Sequence, residues 1–255
     1  GVRDHTIHAC EQLPQGAADA AARLGKAPVP HSQHGSRRLV SQFGVDPNRI
    51  EVIPHGAFDY LTRQDIEQPL PDELREVRAP VILAFGLIRP YKGTEVLLEA
   101  FGRLGEGTEL WVVGRPMVPM DPLRELAAAA PGRVRFIDRF VPDAQIPAFM
   151  RRADIVALPY RNIEQSGVLY TALAFGRPLL LSAIGGFPEV AELGAARTVP
   201  VADPEALSVA LRELLDDPAE RERLGAGALA AAQGHYSWDQ IGHRTLSFYE
   251  RLIAG

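Results

Sequence analysis

Residues 80–101 read "PVILAFGLIRPYKGTEVLLEAF", and one complete structural unit is written in them. "PVILAFG" (80–86) is a short apolar run bounded by proline and glycine, the pattern of a strand buried on both faces. "TEVLLEAFGRL" (94–104) puts Val96, Leu97, Ala100, Phe101 and Leu104 on one side at helical spacing. Between them lies a glycine-bounded turn, "GLIRPYKG" (86–93), with two cations three residues apart, Arg89 and Lys92. Strand, turn and helix follow one another with no spare residues.

The same alternation continues downstream. Further strands are expected in "TELWVVG", "RVRFIDRF", "DIVALPY", "PLLLSA" and "ARTVPV". Helices are expected in "MDPLRELAAAA", in "DAQIPAFMRRA" with Asp143 as N-cap, in "GVLYTALAFG", and in the short "GFPEVAELG". Three more follow: "DPEALSVALRELLDD" capped at Asp203, "PAERERLGAGALAAAQGHY", and a last one from Ser237. Strands alternating with helices of this length force a parallel sheet with helices on both faces. Right-handed crossovers then make an α/β, Rossmann-like, doubly wound sheet, which the alternation places at residues 80–235. In such sheets ligands sit outside the carboxyl ends of the strands. "GLIRPYKG", "GRPM", "PYRNIEQSG" and "SAIGGFPE" all fall there.

Upstream the pattern is weaker. "HGSRRLVSQFG" reads as an amphipathic helix, "NRIEVIPHGAF" as a strand running into a turn, and residues 66–79 as a proline- and charge-rich linker. Pro28 and Pro30 oppose a central strand there.

Composition sets outer bounds. The chain has 255 residues, 46% hydrophobic and 23% charged, with a formal net charge of −5. That is globular composition, and its sign argues against a general nucleic-acid surface. Cys10 is the only cysteine, so no internal disulfide forms, which is compatible with a cytoplasmic location. No apolar run approaches the about 20 residues needed to span a bilayer.

Two cations and backbone N–H groups in a turn at a strand's carboxyl end can grip a diphosphate; they can equally be solvated surface charges. The spacing is not that of a P-loop. Ser166 and Gly167 open a helix whose first N–H groups and positive dipole end attract an anion, and Glu164 just before them can bond a sugar hydroxyl or a ribose diol. The plain alternative is a serine N-cap beside a solvated carboxylate. "SAIGGFPEV" is by itself an ordinary glycine turn. His5/His8 and His31/His34 each have HxxH spacing, but no HExxH accompanies them, so no metal site is expected. Neither GxSxG nor a strand-borne GxGxxG is present, which argues against a serine nucleophile and a nicotinamide cofactor.

Taken in order, "VIPHGAFD" (52–59), "ILAFGLIRPYKG" (82–93), "ELWVVG" (109–114), "VRFIDRFVPDAQIPAFMRRADIVALPY" (134–160), "SGVLYTALAFGRPLLLSAIGGFPEV" (166–190), "DPEALSVALRELLDDP" (203–218) and "YSWDQIGHRTLSFYERL" (236–252) resemble the GT-B retaining glycosyltransferases of glycosyltransferase family four, group 1. The resemblance covers the chain from about residue 31 and is that of the C-terminal donor-binding half. It implies residues 1–65 as a remnant of the N-terminal acceptor domain, 66–79 as linker, 80–235 as the nucleotide-sugar domain, and 236–255 as a helix crossing back to the N-terminal domain. The chain accordingly resembles one that begins inside the first domain.

The resemblance also implies roles. Arg89 and Lys92 would hold the donor's pyrophosphate, with the N–H groups around Gly167, Val168 and Leu169. Arg139 and Phe140 would hold the base. Glu164 would orient the sugar, and His8, in "HTIHACEQLP", matches the family's active-site histidine. The family's second glutamate, which binds the ribose, falls at Thr171, whose hydroxyl lacks a carboxylate's charge. No cofactor or metal is implied, only a nucleotide diphosphate sugar as donor and an acceptor such as a lipid-linked group or a polysaccharide, with membrane contact at most peripheral, at the inner face. The expected activity is hexose transfer to an acceptor hydroxyl. The competing expectation, favoured by Thr171, is a sugar-nucleotide-binding fragment or regulatory domain without transfer activity.

Overall fold

The computed structural model describes residues 28–163 and 165–254. Helices α1 (Gln33–Phe43) and α2 (Asp72–Arg75) precede the sheet. Its strands are β1 (Val81–Phe85), β2 (Glu109–Val113), β3 (Arg133–Ile137), β4 (Ile155–Leu158), β5 (Leu179–Ser182) and β6 (Ala196–Val199). The spatial order is β3-β2-β1-β4-β5-β6, with every neighbouring pair parallel. This is the α/β Rossmann-like arrangement expected from the alternation. The chain winds outward from β1 to β3, then returns to the other side of β1 and winds the opposite way. The β1/β4 junction is therefore the topological switch point, where a crevice opens above the strand ends.

The period of two along each strand builds two cores. Leu83, Trp111, Val156, Leu158 and Leu181 face one side; Ile82, Leu110, Val112, Ile155 and Leu180 face the other. Helices α3 (Thr94–Phe101), α4 (Asp121–Ala128) and α8 (Pro204–Asp216) cover the second face, with Leu97, Phe101, Leu123 and Leu211 in its core. Helices α5 (Ile146–Arg152), α6 (Gly167–Ala174), α7 (Phe187–Glu192) and α9 (Pro218–Gln233) cover the first, supplying Phe149, Leu173, Phe187 and Ala228. The helices after β1 and β4 thus leave the switch point toward opposite faces.

Several local expectations change. Asp143 does not cap α5; it opens a 3-10 turn (Asp143–Gln145), and Gln145 is the N-cap residue. With Asp143 as cap, the N–H of residue 147 would have to bond its carbonyl, and Pro147 has none. The helix instead starts at Ile146, which puts Pro147 in the first turn. Residues 50–58 form no strand. Their N–H groups reach the 28–30 segment, Glu51 N–H to the Pro28 carbonyl (3.4 Å) and Ile53 N–H to the Pro30 carbonyl (3.0 Å). Neither proline can donate in return, so no ladder closes.

The segment 66–79 is fastened down along its length. Leu74 is buried, the Gln68 N–H donates to the Ala144 carbonyl (2.7 Å), and Arg152 donates to the carbonyls of Val77 and Ala79. The last helix, α10 (Trp238–Ala254), lies against residues 51–57 through a cluster of Ile53, Ile241 and Phe248 and an Arg251–Glu51 ion pair. Of the three aromatic residues on this helix, Trp238, Phe248 and Tyr249, only Phe248 is buried. Trp238 is half exposed, and Tyr249, about 100° further round the helix than Phe248, faces water. Among the described residues no helix is long and apolar enough to cross a membrane.

Candidate functional site

The turn after β1 is held by the neighbouring strand's loop. The Ile88 N–H donates to the Arg115 carbonyl (3.0 Å) and the Met117 N–H to the Ile88 carbonyl (2.9 Å), with the Ile88 side chain buried. Arg89, extended at φ −130°, starts a single 3-10 turn over Pro90–Lys92. Gly93 then enters α3 at φ +65°, where a Cβ would lie 2.1 Å from the Pro159 carbonyl oxygen. Only glycine allows that approach, so the turn is pinned against the end of β4.

Lys92 folds back over the end of its own strand. Its Nζ is 3.4 Å from the Phe85 carbonyl and 5.4 Å from the centre of the Tyr160 ring. Burial lowers its pKa to about 8, the positive charge of Arg89 adds to the depression, and Tyr91 opposes it.

Across the switch point, Ser166 caps α6, its Oγ accepting the Leu169 N–H (3.3 Å). The first N–H groups of a helix have no acceptor within it, so those of Gly167 and Val168 face outward at its positive end. The Leu169 N–H is engaged by the cap and its side chain is buried, which leaves it less to offer a ligand. A methyl group at Gly86 would meet Lys92 Nζ at 2.9 Å and Val168 Cγ2 at 3.1 Å. The ammonium from the β1 turn and the first turn of α6 therefore flank one bare piece of backbone. A small cavity beneath is lined by Phe85, Gly86, Lys92, Thr94, Pro159 and Tyr160. Chemically the arrangement can seat an anion: a cationic side chain, backbone donors, and no side chain in the way.

Other expected residues are placed differently. Arg139 and Phe140 follow β3, two strands away from β1. The Arg139 guanidinium braces its own loop, donating to the Phe140 carbonyl (3.0 Å) and to Gln145 Oε1 (2.7 Å), while the Phe140 ring is exposed. Thr171 is buried and donates its hydroxyl to the Gly167 carbonyl (2.9 Å), the usual back-bond of a helical threonine. His8 and Glu164 lie outside the described residues, as do His5 and Cys10. His31 bonds the Ile53 carbonyl through Nδ1 (2.9 Å), and among the described residues no group of three His, Cys, Asp or Glu side chains could hold a metal ion.

Two residues of the site were not singled out from sequence. Tyr160 joins its loops. Glu189, in the "SAIGGFPEV" segment, accepts the N–H groups of Gln33 (3.0 Å) and His34 (2.9 Å) and so clasps the N-terminus of α1. That contact borders a second cavity, whose lining mixes His31, Glu189, His235 and Arg244 with Leu169 and Phe187. Both residues act on partners remote in sequence, so no local signal marks them.

The fold and the seat can be set beside known proteins. The family model described as glycosyl transferases group 1 matches residues 79–217. A D-inositol 3-phosphate glycosyltransferase of Corynebacterium glutamicum is 31% identical over 239 residues, 88% of this chain and 57% of its own length. A GDP-mannose-dependent monoacylated alpha-(1-6)-phosphatidylinositol monomannoside mannosyltransferase of the same species is 30% identical, over 84% of this chain and 59% of its own. The chain therefore spans somewhat over half the length of these relatives. Among solved structures, Anabaena HepE in complex with UDP superposes with a TM-score of 0.79 at 19% identity, covering 98% of this chain and 70% of HepE. Sucrose-phosphate synthase from Thermosynechococcus elongatus gives 0.74 at 21% identity, over 95% of this chain and 63% of that one. At such identities the structures speak for the GT-B fold, whereas the family match spans the sheet and both walls of the anion seat. The chain belongs to the group 1 glycosyl transferases.

Proposed function

We propose that this chain is the donor-binding part of a retaining glycosyltransferase that moves a hexose from a nucleotide diphosphate sugar to an acceptor hydroxyl. The observation that carries the reading is the meeting of Lys92 and α6 over Gly86, 2.9 and 3.1 Å from one Cβ position. As the bond to the sugar breaks, negative charge grows on the departing diphosphate. A preorganised ammonium, the Arg89 side chain in the same turn and the Gly167 and Val168 N–H groups would stabilise it without a metal or cofactor. The exposed Phe140 ring, at the same edge, would stack on the base. Glu164 would orient the sugar and His8 contact the reacting centre, with the acceptor bound across the cleft. The relatives named for inositol phosphate and phosphatidylinositol mannoside make a phosphorylated or lipid-linked polyol the acceptor class to try first.

One observation favours a second reading, a sugar-nucleotide-binding module without turnover. The resemblance puts Thr171 where the family has a glutamate, and its hydroxyl is bonded inside its own helix. Calorimetric titration with UDP, GDP and ADP tests the donor site. One nucleotide should bind and weaken at least tenfold when Arg89→Ala and Lys92→Ala are combined, each charge-assisted bond contributing about 1.5–3 kcal/mol. No binding of any of the three would overturn the donor reading. Binding with no sugar transfer or donor hydrolysis in a chain that includes the acceptor domain would decide for the second.

A further inference from the structure

Tyr160 is buried at the carboxyl end of β4, and four contacts radiate from it. Lys92 Nζ lies 5.4 Å from its ring centre. The Tyr91 ring meets it edge-on at 5.8 Å, and the Phe187 ring packs at 5.6 Å. Its hydroxyl is 3.4 Å from Ser166 Oγ, the atom that caps α6. One side chain thus touches the turn after β1, the helix start after β4, and the first residue of the helix after β5. We propose that Tyr160 is a positioning residue that sets the spacing between the Lys92 ammonium and the N-terminus of α6, and thereby makes the seat selective for two adjacent phosphates over one.

The physical case has two parts. The face of an aromatic ring attracts an ammonium and holds it without neutralising it, unlike a carboxylate, which would compete with the ligand. A lysine has four rotatable side-chain bonds, so a cation that must meet a phosphate at a fixed distance needs such a platform. The hydroxyl, meanwhile, ties the same ring to the cap of the helix whose N–H groups bind the other phosphate. A diphosphate spans both walls; a monophosphate needs only one.

The inference rests on the diphosphate reading of this seat, so the test separates the two. Wild-type chain and Tyr160→Met, which fills the volume without a π face, are titrated with the nucleoside diphosphate that binds and with its monophosphate. The wild-type preference for the diphosphate should fall by about tenfold in the variant, with monophosphate affinity changed less than about twofold. Equal weakening of both ligands, or an unchanged preference, overturns the positioning role while the donor reading stands. A wild-type chain with no preference for the diphosphate overturns both. Should Tyr160→Met not fold, the wild-type chain decides. In lysine-labelled protein the terminal methylene protons of Lys92, assigned with Lys92→Arg, should be shifted upfield by the ring, free and ligand-bound; unshifted resonances overturn the inference.

Discussion

Raising the pH from 7 to 9 should weaken nucleoside diphosphate binding about tenfold, through Lys92 alone. Its pKa in the unliganded chain is about 8, against an ordinary 10.5. The side chain is therefore about nine-tenths charged at pH 7 and about one-tenth charged at pH 9. A diphosphate binds the ammonium and not the amine, so it raises the Lys92 pKa and draws in a proton. The linkage sign follows: affinity is full below about pH 8 and declines as the pH passes that value, until the pKa of the bound state is reached. Titration calorimetry with whichever of UDP, GDP and ADP binds, at pH 7, 8 and 9 in buffers of different ionisation enthalpy, reads both the affinity and the proton. Proton uptake should rise from about a tenth per site at pH 7 to about nine-tenths at pH 9. Lys92→Arg keeps its charge throughout and should flatten the profile. A wild-type affinity that is level from pH 7 to 9, or the same decline in Lys92→Arg, would refute the assignment of Lys92 to the seat.

The same depression makes a stability statement. The fold disfavours the charged Lys92, most fully below about pH 8, and the cost fades as the pH approaches the unfolded value of 10.5. Complete burial would make this about 3 kcal/mol; Lys92 is only half-buried, so Lys92→Met should raise unfolding stability at pH 7 by about 1–2 kcal/mol and by almost nothing at pH 10, as urea melts would show. Gly93→Ala should lose at least about 2 kcal/mol, because a left-handed φ of +65° and a Cβ 2.1 Å from the Pro159 oxygen both oppose it; a loss under about 0.5 kcal/mol would show that the turn relaxes freely. Glu189→Ala should release the α1 N-terminus and speed hydrogen exchange at the Gln33 and His34 amides, with about 1–2 kcal/mol lost from two charge-assisted bonds; unchanged exchange there would remove Glu189 as the clasp. Arg135→Leu should cost about 3 kcal/mol by leaving unpaired the charge of Glu109, which is 8% exposed and bonded to Arg135 at 2.7 and 3.0 Å, with only the Trp111 indole N–H (2.9 Å) still on its carboxylate. Glu109→Leu added to it should restore part of the loss, and a double variant worse than the single would contradict that account.

The strands and helices were legible in the sequence because burial on both faces and helical spacing are local signals. The edge that carries the "GLIRPYKG" and "PYRNIEQSG" loops was legible too, since strand ends at a switch point can be located by counting elements. What could not be read were events fixed by a partner far along the chain. Glu189 meets Gln33 and His34 from more than 150 residues away, and nothing in "GFPEV" marks it. Tyr160 looks like the last residue of a strand until the loops before and after it close around the ring. Thr171 could be aligned to a functional position, but not seen to turn its hydroxyl into its own helix. The failure at residues 50–58 is of another kind: the apolar pattern of a strand is present, but its neighbour is a proline segment that cannot answer its hydrogen bonds. Asp143 failed for the same chemical reason, a missing N–H at Pro147.

The proposed anion seat joins two helices that pack on opposite faces of one sheet. The turn carrying Arg89 and Lys92 leads into α3, which is rooted in the core on one side of the sheet, and α6 is rooted in the core on the other. The two sides thus take most of their footing from different side chains, Leu97 and Phe101 under one and Leu173 under the other, while Tyr91 and Tyr160 tie the turn to the core beneath α6. A methylene added or removed beneath α3 or α6 can shift one side of the gap relative to the other without touching the groups that line it. On the proposed donor reading, drift in buried residues can therefore retune which phosphate ester fits while Lys92 and the N-terminus of α6 stay chemically intact.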